Sequence, residues 1–337
     1  MVIEVKQEKK DFQESTKSNP NHRNDYFDST VLNKIEEIFN LPIPELIYKA
    51  QYIHKENHDP RKIQFCTLSS IKTGACPEDC HYCPQSAHYK TNVQSHSLLD
   101  KESVVQQAKE AKSNGSTRFC MGASWRELPE GKEFDEIIEL VKSVKELDLE
   151  VCCTLGMINS DQAKKLAEAG LHSYNHNIDT SPEYYEEIIN TRTFQERIET
   201  LQNISNAGIN VCSGGIIGMG ESTKDRQKFL AVLSSMVPHP SSVPINALVP
   251  VEGTPLGDRP IVDPIELVRM VATARIMMPK AMVRLSAGRK FLSDEAQALC
   301  FIAGANSIHT GEKLLTTDNA GTSKDKEILN KLGMSIL

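Results

Sequence analysis

No stretch of this sequence approaches the roughly 20 consecutive apolar residues that a membrane-spanning helix requires. The first 25 residues, MVIEVKQEKKDFQESTKSNPNHRND, lack the apolar segment of a secretory signal, and their acidic residues are atypical of a transit peptide. Positive charge is not in excess either, since 45 Asp and Glu outnumber 38 Lys and Arg and give a net charge of -7. These absences predict a cytoplasmic protein that binds neither membranes nor nucleic acid.

Cysteine, in contrast, is well represented in this sequence. The chain of 337 residues has nine cysteines, none of them before Cys66. Because the cytosol keeps thiols reduced, these cysteines are not expected to form disulfides. Some should bind metal or take part in chemistry, and the others should be small buried apolar residues.

Composition and periodicity divide the chain into four segments. Residues 1–30 are polar and predict a flexible tail. Residues 31–60 contain two helical patterns, the second within PIPELIYKAQYIHKEN, where a proline lies near the helix start. Residues 61–317 form the main domain, and residues 318–337 are interpreted as a C-terminal tail with a helix around SKDKEILNKLG.

The main domain alternates short β-branched runs with amphipathic helical stretches. One predicted helix starts at an Asp100 cap and stops at Gly115, and another runs from a Ser160 cap to Gly170. Eight such βα units predict an α/β fold of the (β/α)8 TIM-barrel type, and a doubly wound open sheet is the alternative. The predicted strands cover residues 63–68, 117–123, 150–156, 172–178, 209–217, 243–249, 283–288 and 306–310.

Polar and sulfur-containing side chains recur on these strands. Residues two apart on a strand share a face, so Asn175 and Asn177, with Asp179, are predicted to point away from His176. A single strand cysteine usually serves packing, but thiols on three strands facing amides and a guanidinium indicate a binding site. The candidate residues are Cys120, one of Cys152 and Cys153, Cys212, Asn246 and Arg284.

A second group of thiols lies in the loop TGACPEDCHYCPQS, where Cys76, Cys80 and Cys83 follow the pattern CxxxCxxC after the first strand. A structural zinc site needs four ligands, and His81 and His88 are interpreted as surface loop residues. An iron–sulfur cubane normally takes four cysteines. Three ligands would leave one iron open to bind a substrate or cofactor directly.

The motifs SIKTGACPEDCHYCPQS, TRFCMGASW, YNHNIDTSPE, VCSGGIIGMGE, SVPINALVPVEGTPL and VRLSAGR together resemble the biotin synthases of the radical S-adenosylmethionine superfamily. The resemblance extends from about residue 60 to residue 317. The three-cysteine motif alone is typical of the whole superfamily, whereas the combination is specific to this family.

The resemblance implies a ligand set for two iron–sulfur clusters. Cys76, Cys80 and Cys83 would hold a [4Fe-4S] cluster that binds S-adenosylmethionine, and Cys120, Cys152, Cys212 and Arg284 would hold a [2Fe-2S] cluster deeper in the barrel. A protonated guanidinium has no lone pair for iron, so chemistry alone favours charge neutralisation as the role of Arg284. In the family's register Cys153 faces outward, and Cys66 and Cys300 are structural.

The resemblance also implies contacts to the cofactor and the substrate. Asn177 and Asp179 would lie near the ribose of S-adenosylmethionine, and Gly218, in GGIIGMGE, would admit the cofactor to the backbone. Asn175 and Asn246 would lie near the ureido ring of dethiobiotin, which amide side chains suit because they both donate and accept hydrogen bonds.

The implied activity is the last step of biotin biosynthesis, the radical insertion of sulfur into dethiobiotin. The implied partners are a flavodoxin- or ferredoxin-type reductant, an iron–sulfur assembly system and a second copy of the chain in a homodimer. The alternatives are another radical S-adenosylmethionine enzyme, a non-catalytic iron–sulfur electron carrier and a zinc-stabilised binding module. A lipoyl-synthase-like activity would need an N-terminal cysteine cluster that residues 1–65 lack.

Overall fold

The computed structural model describes residues 26–337, so most of the predicted N-terminal tail lies outside the described residues. Two helices come first, α1 (Ser29–Phe39) and α2 (Ile43–Asn57). The Asp28 side chain caps α1 by accepting a hydrogen bond from the backbone N–H of Thr30 at 2.8 Å. Both helices pack on the outside of the main domain and leave its carboxyl-terminal face uncovered.

The main domain is a closed barrel of parallel strands. Its first strand, β1, pairs with both the second and the last, so the sheet has no free edge and the predicted (β/α)8 fold is confirmed. The strands are β1 (Lys62–Lys72), β2 (Arg118–Ala123), β3 (Glu150–Thr154), β4 (Ser173–Asn175), β5 (Asn210–Cys212), β6 (Gly215–Ile217), β7 (Ser242–Ala247), β8 (Met282–Leu285) and β9 (Ser307–Thr310).

The predicted fifth strand is divided into β5 and β6, which both pair with β7 and together occupy one position of the barrel. The break lies at Ser213 and Gly214. A Cβ atom at Gly214 would collide with the carbonyl oxygen of Pro244, so only glycine fits this close approach of two backbones. The Asn177 side chain accepts a hydrogen bond from the Gly214 N–H at 3.1 Å, which ties the break to the segment after β4.

Helices cover the outside of the barrel and bury apolar faces against the strands. Asp100 caps its helix as predicted, by accepting from the Ser103 N–H at 2.8 Å. The predicted Ser160 cap was wrong, because Asn159 accepts from the N–H groups of Asp161 and Gln162 and so forms a capping box. The helices are α3 (Lys101–Ser113), α4 (Lys132–Lys145), α5 (Ser160–Ala169), α6 (Phe194–Asn206), α7 (Thr223–Ser235), α8 (Pro264–Met277) and α9 (Asp294–Ile302).

The C-terminal segment folds back onto the barrel. A short hairpin, β10 (Lys313–Leu314) and β11 (Thr317–Asp318), precedes α10 (Thr322–Lys331) and β12 (Ser335–Ile336). The last of these strands pairs in parallel with the start of β1. Inside this segment, the fully buried Asp325 accepts two hydrogen bonds from the buried Arg289, at 2.5 and 2.9 Å.

This buried ion pair gives a stability prediction. Replacing Asp325 by Ala leaves the Arg289 charge buried without its carboxylate, so the free energy of unfolding should fall by about 3 to 5 kcal/mol. Urea denaturation of the apoprotein measures the change. The matched control is Lys331→Ala, which removes a half-exposed lysine 2.7 Å from Glu327 on the same helix and should cost less than about 1 kcal/mol. Equal decreases in the free energy of unfolding for the two variants would show that the buried Asp325 carboxylate contributes no more than an exposed charge.

A second prediction concerns pH. His54 of α2 is fully buried, and neither ring nitrogen has a hydrogen-bond partner among the described residues. Burial, helped by the charge of Arg275, lowers the pKa of His54 from 6.5 to about 3. The unfolded chain binds a proton at this histidine below pH 6.5 and the folded chain does not, so stability is complete above pH 6.5 and falls as the solution is acidified.

The expected slope from this group is at most about 1.4 kcal/mol per pH unit between pH 6.5 and 5. His54→Leu should flatten the stability profile of the apoprotein in this range. The exposed His239 provides the control, since His239→Leu should leave the slope unchanged. A slope that is the same in all three proteins would contradict the prediction.

Candidate active site

The carboxyl ends of the barrel strands surround a cavity of about 320 Å³. Its upper wall includes the three cysteines of the loop after β1, and its floor includes Cys120, Cys152 and Arg284. The structure therefore brings the three loop thiols and two of the three predicted barrel thiols to one cavity, and Cys212 is not in its wall. This is the end of the barrel at which the active sites of (β/α)8 enzymes lie.

The loop with Cys76, Cys80 and Cys83 is fixed by its own backbone. It leaves β1 through Gly74 and Ala75, both with positive φ. The N–H of Cys76 donates to the carbonyl of Gln85 at 3.0 Å, and the N–H of Cys83 donates to the carbonyl of Cys80 at 2.9 Å. The three thiols are thus positioned before any ligand binds.

Burial keeps these thiols protonated in the apoprotein. It raises the pKa of Cys80 to about 11 and that of Cys83 to about 12. Metal must therefore displace protons when it binds, because the thiolate is the form that coordinates. His81 and His88 do not supply a fourth ligand from this loop, since His88 is exposed and its Nε2 lies 2.9 Å from the Pro77 carbonyl, and His81 stacks edge-on against Tyr89.

Charged side chains that sequence reasoning missed surround the loop. Arg192 lies 3.8 Å from the Cys80 sulfur and 3.5 Å from the buried carboxylate of Glu78. Arg197 lies 2.5 Å from the carboxylate of Asp179. Arg192 lies in the segment before α6 and Arg197 lies in α6, so no local pattern places them beside the cysteines. They bring positive charge to a site where thiolates would carry negative charge.

Deeper in the barrel, the thiols of three strands, β2, β3 and β5, lie together. Cys120 and Cys152 are register partners on β2 and β3, and the Cys152 thiol is within hydrogen-bonding range of Cys120 and Cys212. Hydrogen bonding from Cys152 lowers the pKa of Cys120 and of Cys212 and raises that of Cys152 itself. Cys153 points the other way and is buried in the core between strands and helices.

Two arginines neutralise this interior. Arg284 of β8 donates to the Cys212 sulfur at 3.6 Å and to the Ser307 hydroxyl at 2.9 Å. Burial opposes its charge, but attraction to the Cys66 and Cys212 thiolates raises the pKa of Arg284 above its ordinary value. Arg118 is also buried, and it donates to the Glu150 carboxylate at 2.8 Å.

The floor of the barrel is closed by polar side chains. Gln64 donates to Glu150 at 3.0 Å, next to the bond between Glu150 and Arg118. The serines of the same layer, Ser173, Ser242 and Ser307, are fully buried. Within residues 26–337 this layer fills the barrel below the cavity, and the Glu150 side chain, at the amino end of β3, is partly exposed.

The predicted amides occupy different positions. Asn175 donates to Asn177 at 3.1 Å and to the Cys212 sulfur at 3.3 Å, so it joins the interior thiols to the cavity wall. Asn246 also lines the cavity, but its amide bridges two backbones, donating to Gly215 at 2.9 Å and accepting from Ala287 at 3.0 Å.

Asp179 and Gly218 differ in their access to the cavity. Asp179 lines the cavity and is held there by Tyr82 at 2.8 Å as well as by Arg197. Gly218 is not in the cavity wall. A Cβ at this position would collide with the Val262 side chain, and its backbone N–H donates to Glu221 at 2.9 Å.

Two interior residues were assigned no binding role from the sequence. Cys66 was expected to be structural, yet it packs with Cys120 and Cys152 inside the barrel. His309 lines the cavity, within hydrogen-bonding range of Cys120 and 2.8 Å from the Ser286 hydroxyl. Side chains alternate along β1, which places Cys66 on the same face as Leu68, the register partner of Cys120. This alternation is the sequence signal that could have placed Cys66 inside the barrel.

The thiol sets fit iron–sulfur clusters better than a single metal ion. All nine cysteines are free, and none is paired as a disulfide. Within residues 26–337, no three His, Cys, Asp or Glu side chains converge to hold one ion. Thiolates of a cluster bind different iron atoms and need not converge, and buried thiols beside arginines suit the negative charge of such a centre.

The comparisons with known proteins agree with this geometry. Residues 70–233 match the radical SAM superfamily, and residues 244–335 match the biotin and thiamin synthesis associated domain. The biotin synthase of Cytophaga hutchinsonii is 59% identical over 301 residues, which cover 89% of each chain. That of Gloeobacter violaceus is 55% identical over 305 residues, covering 90% of this chain and 96% of the relative.

Solved structures resemble this chain in fold. Methylornithine synthase superposes with a TM-score of 0.76 at 18% identity, covering 91% of this chain and 94% of the other. The FeFe-hydrogenase maturase of Carboxydothermus hydrogenoformans gives a TM-score of 0.76 at 16% identity, covering 91% and 78%. At these identities the likeness shows the fold alone.

Proposed function

This chain belongs to the biotin synthase family of radical S-adenosylmethionine enzymes, and on that premise we propose that it inserts sulfur into dethiobiotin to form biotin. The observation that carries the proposal is the presence of two separate thiol sets at one cavity. The three thiols of the loop after β1 line it, and so do Cys120 and Cys152 of the barrel strands, with Cys212 next to Cys152. An electron carrier would not need the amide side chains of Asn175, Asn177 and Asn246 beside these thiols.

Each thiol set would hold one cluster. Cys76, Cys80 and Cys83 would hold a [4Fe-4S] cluster, and Cys120, Cys152 and Cys212, with Arg284 as the fourth ligand, would hold a [2Fe-2S] cluster. When bound, the first supplies the electron that cleaves S-adenosylmethionine and the second supplies the sulfur atom of the product. The Arg192 guanidinium, 3.8 Å from the Cys80 sulfur, would balance the charge of the upper site.

The chain's own side chains would orient the two small molecules between these sites. Asp179 receives both of its protein hydrogen bonds, from Tyr82 and Arg197, at Oδ2, which leaves Oδ1 to accept one from the ribose of S-adenosylmethionine. Asn177 would act beside it, whereas Gly218, which packs against Val262 outside the cavity wall, is not given the predicted cofactor contact.

For dethiobiotin, we propose contacts from Asn175 and Asn246. Asn175 is 3.3 Å from the Cys212 sulfur, so a ureido ring bound to its amide would lie next to the interior thiols. Asn246 is fixed by its two backbone hydrogen bonds and would limit how the ring can turn. The closed barrel floor would keep water from the reacting carbons.

The partners and the location are also proposed. The activity needs a one-electron donor of the flavodoxin or ferredoxin type and an iron–sulfur assembly system that restores the donated sulfur, and the family favours a homodimer in the cytoplasm. No helix of residues 26–337 has the length and apolarity to cross a membrane. We propose that residues 61–317 form the catalytic barrel and residues 318–337 its C-terminal segment. Residues 1–30 are the proposed tail and residues 31–60 the proposed N-terminal helices.

The activity can be tested with anaerobically reconstituted protein, S-adenosylmethionine, a strong reductant and dethiobiotin. We expect mass spectrometry to detect biotin and 5'-deoxyadenosine only when all components are present. Cys212→Ala should keep deoxyadenosine formation and lose biotin, because the upper thiol set is intact. The control is Cys300→Ala, a buried thiol of α9 outside the barrel. Deoxyadenosine without biotin in the iron-loaded wild type would overturn the substrate assignment.

The register of β3 gives a second test. Cys152 faces the barrel interior and Cys153 faces the helices. Cys152→Ala should therefore lose about two of about six iron atoms per chain, while Cys153→Ala should keep them all. Iron and acid-labile sulfide assays measure this directly. The opposite pattern would show that the strand register at the interior site is wrong.

A further inference from the structure

The barrel interior holds one thiol more than the proposed cluster uses. Cys66 of β1 is fully buried, and it packs with Cys120, Cys152 and Leu68 in a group separate from the main apolar core. A structural cysteine would be expected in the outer core, where Cys153 and Cys300 lie. Cys66 instead faces the same space as the proposed ligands.

Cys66 and Arg284 share two polar neighbours. The Cys66 sulfur is 3.5 Å from the Gln64 side-chain oxygen and 3.5 Å from the Ser307 hydroxyl. Arg284 donates to the same hydroxyl at 2.9 Å and to the same Gln64 oxygen at 3.5 Å. The thiol and the guanidinium therefore contact the same two polar atoms, and either could serve as the fourth ligand of a cluster held by Cys120, Cys152 and Cys212.

Their chemistry as iron ligands is unequal. A thiolate is the usual protein ligand of an iron–sulfur cluster. A guanidinium is protonated, so the nitrogen that is to bind iron must first lose a proton to provide a lone pair. Arg284 would therefore bind iron weakly, whereas the thiolate of Cys66 beside it would bind iron strongly.

From this juxtaposition, and on the basis of the proposed function, we propose that Cys66 is an alternative fourth ligand of the interior cluster and replaces Arg284 on iron. The exchange is balanced in protons and needs no redox partner. The iron–nitrogen bond to a neutral Arg284 guanidine breaks, and an iron–sulfur bond to Cys66 forms. The proton lost by the Cys66 thiol passes to the departing guanidine through the Ser307 hydroxyl, which lies between them.

Such an exchange would serve a cluster that gives up sulfur. Once sulfur had been donated, a fourth protein thiolate from Cys66 would help to keep the iron in the barrel until the sulfur was restored. Cys66 would then determine how many iron atoms remain bound after a turnover, whereas Arg284 would be the fourth ligand before it.

The test compares four anaerobically reconstituted proteins: the wild type, Cys66→Ala, Arg284→Met and the double variant. Iron and sulfide contents, the visible spectrum and the electron paramagnetic resonance of the reduced interior cluster are measured. The [4Fe-4S] cluster, which binds through other residues, reports whether each variant is folded. Cys300→Ala combined with Arg284→Met is the matched control for loss of a buried thiol.

We expect Cys66→Ala to keep the wild-type spectrum, since Arg284 is the resting ligand. Arg284→Met should keep its iron but show a changed spectrum, because Cys66 completes an all-thiolate site. The double variant should lose about two of about six iron atoms, whereas the control combination should not. After one turnover with dethiobiotin, Cys66→Ala should retain less iron than the wild type.

Two results would overturn the proposal. The first is a double variant that holds as much iron as Arg284→Met, because another group would then complete the site. The second is a changed resting spectrum in Cys66→Ala alone, which would make Cys66 a permanent ligand. Failure of the proposed function is separate, since it would appear as a wild type with no second cluster or no biotin.

Discussion

The alternation of side chains along the parallel strands is the constraint on which the site depends. Neighbouring strands are in register at Leu68, Cys120 and Cys152, so these side chains point together into the barrel. A shift of one residue on β3 would exchange Cys152 for Cys153 and remove one thiol from the interior. Closure of the barrel fixes each register against both neighbours, which makes such a shift costly.

Polar groups inside the barrel must satisfy one another, because water is excluded. Gln64, Arg118 and Glu150 form one hydrogen-bonded layer, and Arg284 lies above it with Ser307. Unpaired charges here would be strongly destabilising. The two buried arginines face one partly exposed glutamate and several thiols, so the interior is arranged for a centre of negative charge.

Much of this arrangement could be predicted from the sequence. The strand count, the Asp100 cap and the grouping of Cys120 and Cys212 with one of Cys152 and Cys153 follow from local periodicity and spacing, and the family resemblance selects Cys152. The break at Gly214 could not be predicted in this way, because it results from contact with Pro244 on another strand. Arg192, Arg197 and His309 reach the site through long-range packing, and the role of Cys66 depends on the register between β1 and β2.

The closed floor of the barrel has a consequence for turnover kinetics. The layer of Gln64, Arg118 and Glu150 leaves the mouth as the route through which molecules enter and leave. In the proposed reaction, the fragments of a cleaved S-adenosylmethionine would have to leave through this mouth before another molecule of the cofactor could enter. Products that accumulate are therefore expected to compete with the cofactor for the same entrance.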